Sequence, residues 1–401
     1  MFLDTLKHIL GRITIITINQ LAVLISLPIL ASRLDFYNFG QIAIGFLLVQ
    51  LTWLISDWGI QNYSIETWRN LGGRTQECKF TSSVVTLNLL IAILTIFLIL
   101  GLIQLKVLDF PIKYFFYILP SIIMGSLYPL WFFQVQKSPQ DMILPTFISR
   151  LIFLGMIFIF VADNQSASWA FLAQGLNLSL ITIYAFFRMY THYSFKWHFP
   201  RIKTIKEIAQ KSFPFFINAV TNNQINTFWS FGLSIIAGPA AMALFNLGEQ
   251  IYRAGGAMTN VIAQSVRIYF IGKTVREIGF TVLFFIFLFI TISLTIFITA
   301  DFFINKFFST EYLPAIKIIK LMIIAWGIQA VIKLLNYPIL GETHGSEWVN
   351  KITYKILFLH ALAFLFWMFF LSGPLSLAVV FLSVIGCQLI IFLFYFFLKT
   401  R

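Results

Sequence analysis

Apolar runs of similar length, separated by short polar connections, repeat from one end of the chain to the other. A helix needs about 20 apolar residues to cross the hydrocarbon core of a bilayer. Twelve runs of that size can be drawn: 13–31, 40–60, 82–103, 114–134, 143–162, 169–188, 213–236, 241–265, 278–300, 315–338, 353–372 and 375–398. The first run is not followed by a small-residue cleavage site, so it is expected to be a retained span and not a removed signal peptide. The longest polar connection, 189–212, contains Pro200 and the stretch RIKTIKEIAQK. Ile202, Ile205 and Ala209 fall on one face of that stretch as a helix, and Lys203, Lys206 and Lys211 lie elsewhere around it. This pattern predicts an amphipathic helix lying on an anionic leaflet.

The connection divides the chain into residues 1–189 with six spans, a linker at 190–211, and residues 212–401 with six more. The expected fold class is an all-α integral membrane protein of about 12 transmembrane helices in two six-helix bundles. Six spans per half give both halves the same orientation, so an internal repeat would be parallel, about a pseudo-twofold axis along the membrane normal. Two short matches support it: Tyr128-Pro129 against Tyr337-Pro338, and Asn19-Gln20 against Asn222-Asn223.

Composition agrees with the pattern. The 401 residues are 59% hydrophobic and 11% charged, with 47 Phe, and the mean hydropathy is +0.87; soluble domains carry roughly 25% charged residues. A net charge of +13 would suggest a nucleic-acid partner in a soluble protein. Here the positive residues lie between apolar runs, which points to topology and excludes nucleic acid. With the N-terminus in the cytoplasm, 19 of the 28 Lys and Arg fall on the cytoplasmic side, six on the other, and Arg150, Arg253 and Lys333 inside spans. Both termini are therefore expected to be cytoplasmic, in a bacterial inner membrane. Lys317 and Lys320 run against the bias and allow a later start for span ten. Cys78 and Cys387 have neither a pairing pattern nor metal spacing.

An ionised group at the centre of a span costs about 2.5–3.5 kcal/mol, so polar residues inside spans are the informative ones. Arg150 and Lys333 either snorkel to the interface or act inside the membrane as functional cations. Arg253 follows Glu249 by one helical turn, and the pair is either a neutral structural lock or part of a substrate or proton pathway. Asp57, at the end of span two, and Glu249 are the two acids that could couple transport to protons. Asn19 and Gln20 in span one are further polar candidates. In span seven Asn218, Asn222, Asn226 and Ser230 recur at every fourth residue, widened by Thr221, Asn223, Gln224 and Thr227. Such a stripe cannot face lipid. Interhelical glue and a wet cavity both account for it, and the number of polar groups favours the cavity. A phosphate-binding G-x-x-x-x-G-K-[ST] loop is missing, the five histidines show no metal spacing, and no cofactor or metal is expected. A transporter, not an enzyme, is the expectation.

Three stretches carry a family resemblance. SRLDFYNFGQIAIGFLLVQLTWLISDWGIQNYSIE (32–66) resembles the first two spans of the O-antigen flippases. In that family a Phe-Gly opens span two and an Asp-aromatic-Gly closes it, as Phe39-Gly40 and Asp57-Trp58-Gly59 do here. YPLWFFQVQKSPQ (128–140) resembles the family's Pro-x-Trp-x-x-Gln segment, and GPAAMALFNLGEQIYRA (238–254) resembles its entry to span eight. These flippases lie within the multidrug/oligosaccharidyl-lipid/polysaccharide exporter superfamily. The resemblance implies two six-helix bundles arranged as a V around a central cavity. It also implies a substrate, an oligosaccharide repeat unit on undecaprenyl diphosphate, moved to the periplasmic leaflet by alternating access. Partners would be the lipid bilayer and the polymerase and chain-length regulator of the same pathway. Cavity cations vary across that family, so Arg150, Arg253 and Lys333 as diphosphate-binding cations, and Asn19, Gln20, Asn218, Asn222, Asn226 and Ser230 as sugar contacts, are assignments made on this chain for the substrate that the resemblance implies. A multidrug exporter of the same superfamily is the alternative, disfavoured by three cations beside few acids. A membrane polymerase would need a larger outer loop than any seen here.

Overall fold

In hydrocarbon every backbone N–H and C=O must find its partner within its own segment, so long apolar runs fold as helices. The computed structural model describes residues 2–68, 70–221, 225–270, 275–336 and 346–399, with side chains except at 2–10, 12, 264–270, 275–282, 346–350 and 396–399. The helices are α1 (Phe2–Arg33), α2 (Phe36–Asp57), α3 (Ile60–Trp68), α4 (Arg74–Gln104), α5 (Ile112–Leu127), α6 (Leu130–Val135), α7 (Ile143–Phe160) and α8 (Ser168–Thr191). They continue as α9 (Ile202–Ala219), α10 (Ile225–Ile236), α11 (Gly238–Phe270), α12 (Val275–Phe307), α13 (Ala315–Leu335), α14 (Ser346–Phe370) and α15 (Pro374–Lys399). They form two compact units, residues 1–220 and 221–401.

Among the described residues, ten helical stretches are long and apolar enough to cross a membrane. They correspond to ten of the twelve expected spans. The other two, seven and eight, are helical but differ in character. In the run drawn as span seven, 213–236, α9 reaches Ala219, a π turn covers Val220 and Thr221, and α10 covers Ile225–Ile236, with residues 222–224 between them outside the described residues. Span eight lies within the 33-residue α11, whose middle carries Asn246, Glu249, Gln250 and Arg253. Span ten begins at Ala315, as drawn. Lys320 is neutralised there by Asp301 of α12 at 2.6 Å, which removes the reason for a later start.

In the first unit α8 packs on α5 and α7, α1 on α7, and α2 on α4 and α5. Turn chemistry fixes the connections. The Asp35 carboxylate caps α2 by accepting from the Asn38 N–H at 2.7 Å. Asn164 joins that corner to α8, donating from its amide to Asp35 at 2.8 Å and accepting from the Asp35 N–H at 2.8 Å. The guanidinium of Arg33 donates to the Val161 carbonyl at 2.8 Å and also to that of Phe158, closing the carbonyl end of α7. Asp163 forms a capping box with Ser166, and the Ser166 hydroxyl and amide hold its carboxyl below the usual carboxylate range.

Asp57-Trp58-Gly59 is a socket for α9. Trp58 and Gly59 both take positive φ, 47° and 75°, which ends α2 and restarts the chain as α3. A Cβ on Gly59 would collide with the Phe216 amide and come within 2.6 Å of the Ser212 carbonyl oxygen. Only glycine permits that approach. Trp58 donates from its indole nitrogen to the Ala209 carbonyl at 3.0 Å and stacks on Phe216 at 4.9 Å. The apolar face expected to lie on lipid is therefore spent on protein: Ile208 is buried, and Ile205 and Ala209 pack against the same core as Trp131, Phe132 and Phe133. Ile202 alone of the predicted face is exposed.

In the second unit α11 packs on α13, α13 on α12 and α15, and α10 on α11. Trp229, Phe364 and Phe381 form edge-to-face contacts that join α10, α14 and α15.

Candidate functional site

Each unit holds one polar cluster inside its spans, and the two are built differently. In the first, α7 places Arg150 against α1 and α8. The Arg150 Nε donates to Asn19 Oδ1 at 2.6 Å, and a terminal nitrogen donates to Gln174 Oε1 at 3.4 Å. The guanidinium also lies 5.5 Å from the Phe153 ring centroid, a cation–π contact one turn along its own helix. Among the described residues no carboxylate pairs with Arg150. Instead of snorkelling outward, the cation is turned inward and held by neutral amide oxygens. Asn19 is thus brought to the site and Gln20, half-buried on the same helix, makes no hydrogen bond among the described residues. Gln174 was not singled out from the sequence, although a glutamine within an apolar run was the available signal.

The break in α5 lies at Tyr128-Pro129, where Tyr128 is extended and α6 restarts at Leu130. Proline cannot continue a helix without losing a backbone bond. Tyr337-Pro338, its proposed counterpart, lies outside the described residues, as do Asn222, Asn223 and Gln224.

In the second unit Glu249 is buried, 1% exposed. Asn226 of α10 donates from its amide to the Glu249 carboxylate at 3.0 Å, and Arg253 donates from Nε to the same oxygen at 2.9 Å, with a second nitrogen closing the ion pair. Arg253 also donates to the Thr227 hydroxyl at 3.2 Å. The i,i+4 geometry anticipated for Glu249 and Arg253 is present, and α10 supplies the neutral partners. Ser230 is fully buried and donates to its own helix at the Asn226 carbonyl, 3.0 Å. Asn218 lies on α9 and Asn226 and Ser230 on α10, while Asn222 between them lies outside the described residues. Lys333 of α13 donates to the Gly256 carbonyl of α11 at 3.2 Å. Neither it nor Arg150 faces a carboxylate among the described residues.

Asp57 closes α2, with its carboxylate toward the Gly59 and Gln61 amides. Gln61 donates to Gln134 at 3.2 Å. A further cluster missed by the sequence joins the ends of α7 and α8: Arg188 and the Tyr193 hydroxyl both donate to Asp141, at 3.0 and 2.9 Å. Burial pushes the Tyr193 phenol up. Cys78 is buried and Cys387 exposed, both free. The described residues hold no group of His, Cys, Asp and Glu that could bind a metal.

Among the described residues, then, the helical bundles hold two cations, Arg150 and Lys333, without a carboxylate partner. Residues 5–274 match the family model described as "Polysaccharide biosynthesis protein", and the chain belongs to that family. It is 25% identical over 262 residues, 65% of its length, to a Shigella dysenteriae protein named "Putative O-antigen transporter". The match spans 66% of that relative, just short of two thirds of its length. In fold the chain is similar to the lipid II flippase MurJ, with a TM-score of 0.70, 14% identity, and coverage of 98% of this chain and 87% of that one. It is also similar to the eukaryotic MATE transporter AtDTX14, with a TM-score of 0.62, 16% identity, and coverage of 100% and 96%. A third likeness, TM-score 0.54 at 12% identity with coverage of 98% and 94%, is to a MOP superfamily transporter from Pyrococcus furiosus described as having a binding pocket of reverse polarity.

Proposed function

We propose that the chain is a flippase for undecaprenyl-diphosphate-linked oligosaccharide repeat units, moving them from the cytoplasmic to the periplasmic leaflet of a bacterial inner membrane. The observation that carries this reading is Arg150: an inward-turned guanidinium in a membrane span, held by amide oxygens and left with its charge. A cation so placed attracts a diphosphate through charge-assisted, forked hydrogen bonds. Lys333, bound only to a carbonyl among the described residues, offers a second positive point. Asn19, Gln20, Asn218, Asn222, Asn226 and Ser230 are the candidate sugar contacts of this reading. Family membership and the name of the Shigella relative support the same substrate class.

The Lys and Arg bias supports a cytoplasmic position for both termini. With a negative interior, outward movement of an anion is downhill by about 2.3 kcal/mol per charge per 100 mV, so alternating access can run without ATP. Glu249 is the candidate for proton coupling: protonation would release Arg253 and Asn226 together. Asp57, at the socket of α9, is the second candidate. A Glu249→Gln variant is then expected to lose any dependence of transport on a pH gradient; an unchanged dependence removes Glu249 from that role.

The deciding experiment is the leaflet distribution of lipid-linked repeat units in a deletion strain. Accumulation on the cytoplasmic leaflet, relieved by the wild-type chain and not by Arg150→Ala, is the expected result. Normal glycan with drug sensitivity would make the chain a multidrug exporter, and flipped but unpolymerised units a polymerase component.

A further inference from the structure

Docking α9 on the first unit uses up its apolar face and leaves other groups uncovered. Phe199 is 94% exposed and Ile202 85%, an arrangement that water disfavours and a bilayer interface accepts. Arg201, Lys203 and Lys206 are exposed beside them. Between α3, α4 and α9 lies a cavity of about 250 Å³. Tyr63 and Thr67 line it from α3, Lys79 from α4, and Thr204, Glu207 and Lys211 from α9. Glu207 and Lys211 stand at i and i+4 yet do not pair, and Lys79 has no acidic partner among the described residues. Two ammonium groups therefore face one cavity with their charges unmet except by water. Hydroxyls of Tyr63, Thr67 and Thr204 add donors suited to phosphate oxygens.

We propose that this end of the first unit binds one anionic phospholipid of the adjoining leaflet, its phosphodiester between Lys79 and Lys211 and its leaflet entered by Phe199 and Ile202. The three charges that face the cavity sum to +1, which matches a single phosphodiester. The net positive charge of the cavity favours a headgroup with net negative charge over a zwitterion, whose ammonium it repels. This goes beyond the transport reading and does not depend on which substrate crosses the membrane.

The test is native mass spectrometry of the purified full-length chain with equal amounts of phosphatidylglycerol, phosphatidylethanolamine, phosphatidylcholine and undecaprenyl phosphate. One phosphatidylglycerol is expected to be retained about tenfold over either zwitterionic lipid, given about one charge contact per lysine. Lys79→Gln/Lys211→Gln should lose that retention about fivefold or more, while Lys203→Gln/Lys206→Gln, outside the cavity, stays within about twofold. Should the first double variant not purify, Glu207→Gln decides the matter: it is expected to raise retention about threefold. Equal retention of zwitterionic lipid, preference for undecaprenyl phosphate, displacement by millimolar inorganic phosphate, equal effects of the two double variants, or lower retention in Glu207→Gln would each overturn the proposal.

Discussion

Arg150 and Arg253 are the same residue type in similar surroundings, each inside a helix of a membrane protein, yet they are held by opposite means. Arg253 lies one turn from a buried carboxylate, and its charge is cancelled where it sits. Arg150 is held by two amide oxygens from distant parts of the chain and keeps its charge. Neutral acceptors can position a guanidinium fork as firmly as a carboxylate without consuming what an anionic ligand needs. A cation that is compensated contributes to the fold, and one that is only oriented is available for binding.

The comparison predicts opposite outcomes on removing one partner, and the largest effect belongs to Glu249. Glu249→Ala strands the Arg253 charge and the Asn226 amide, and breaking a buried pair in this way costs about 3–5 kcal/mol. The loss is expected as a lower unfolding temperature of the purified protein and reduced expression. Replacing both partners, Glu249→Leu with Arg253→Met, should recover most of it. Stability of Glu249→Ala equal to wild type would mean that the pair is not compensated as described.

Arg150→Ala is next. No opposite charge is stranded, so the stability change is expected to stay below about 2 kcal/mol. Transport should fall by about 2–3 kcal/mol of binding, roughly 30- to 150-fold. Arg150→Lys keeps the charge but not the fork and should fall between. Quantifying repeat units on each leaflet of a complemented deletion strain separates these outcomes. An Arg150→Ala variant that destabilises the protein but transports normally would reduce Arg150 to a structural role.

Part of this contrast was legible in the sequence and part was not. Twelve apolar runs could be drawn because the thickness of the bilayer fixes their length, whatever the neighbouring helices do. Glu249 and Arg253 could be paired because helical periodicity brings residues four apart together. Asn19 and Arg150 are 131 positions apart, and only the packing of α1 on α7 joins them. The face of α9 was read correctly as apolar and assigned to the wrong cover. Ile205 and Ala209 have the same spacing whether lipid or protein lies over them, and the Trp58–Gly59 turn that decides it is remote in sequence. The Asp-aromatic-Gly motif thus acquires a structural reason, a corner that ends α2 and admits the backbone of α9.

A third variant converts one arrangement into the other. Asn19→Asp places a carboxylate at the 2.6 Å position that the amide oxygen now holds. Arg150 would then resemble Arg253, with stability unchanged or raised by about 1 kcal/mol. Transport is expected to fall about tenfold, or about 1.4 kcal/mol, because the charge offered to the substrate has been spent. More stable and less active is the signature to look for, by unfolding temperature and leaflet assay on the same preparations. Undiminished transport would show that the uncompensated charge is not what the site uses.

The smallest effect is expected at Gln174, whose contact with Arg150 is long at 3.4 Å. Gln174→Leu removes an acceptor from one terminal nitrogen of the guanidinium while Asn19 still holds Nε. The charge remains and only its aim loosens, so transport should drop two- to fivefold, about 0.5–1 kcal/mol. Gln174→Glu instead adds a carboxylate at a distance where pairing is weaker, and its loss should be smaller than that of Asn19→Asp. That ranking distinguishes orientation from compensation. Were Gln174→Glu the more damaging of the two carboxylates, the terminal nitrogens and not the Nε edge would be the part of Arg150 closest to the anion.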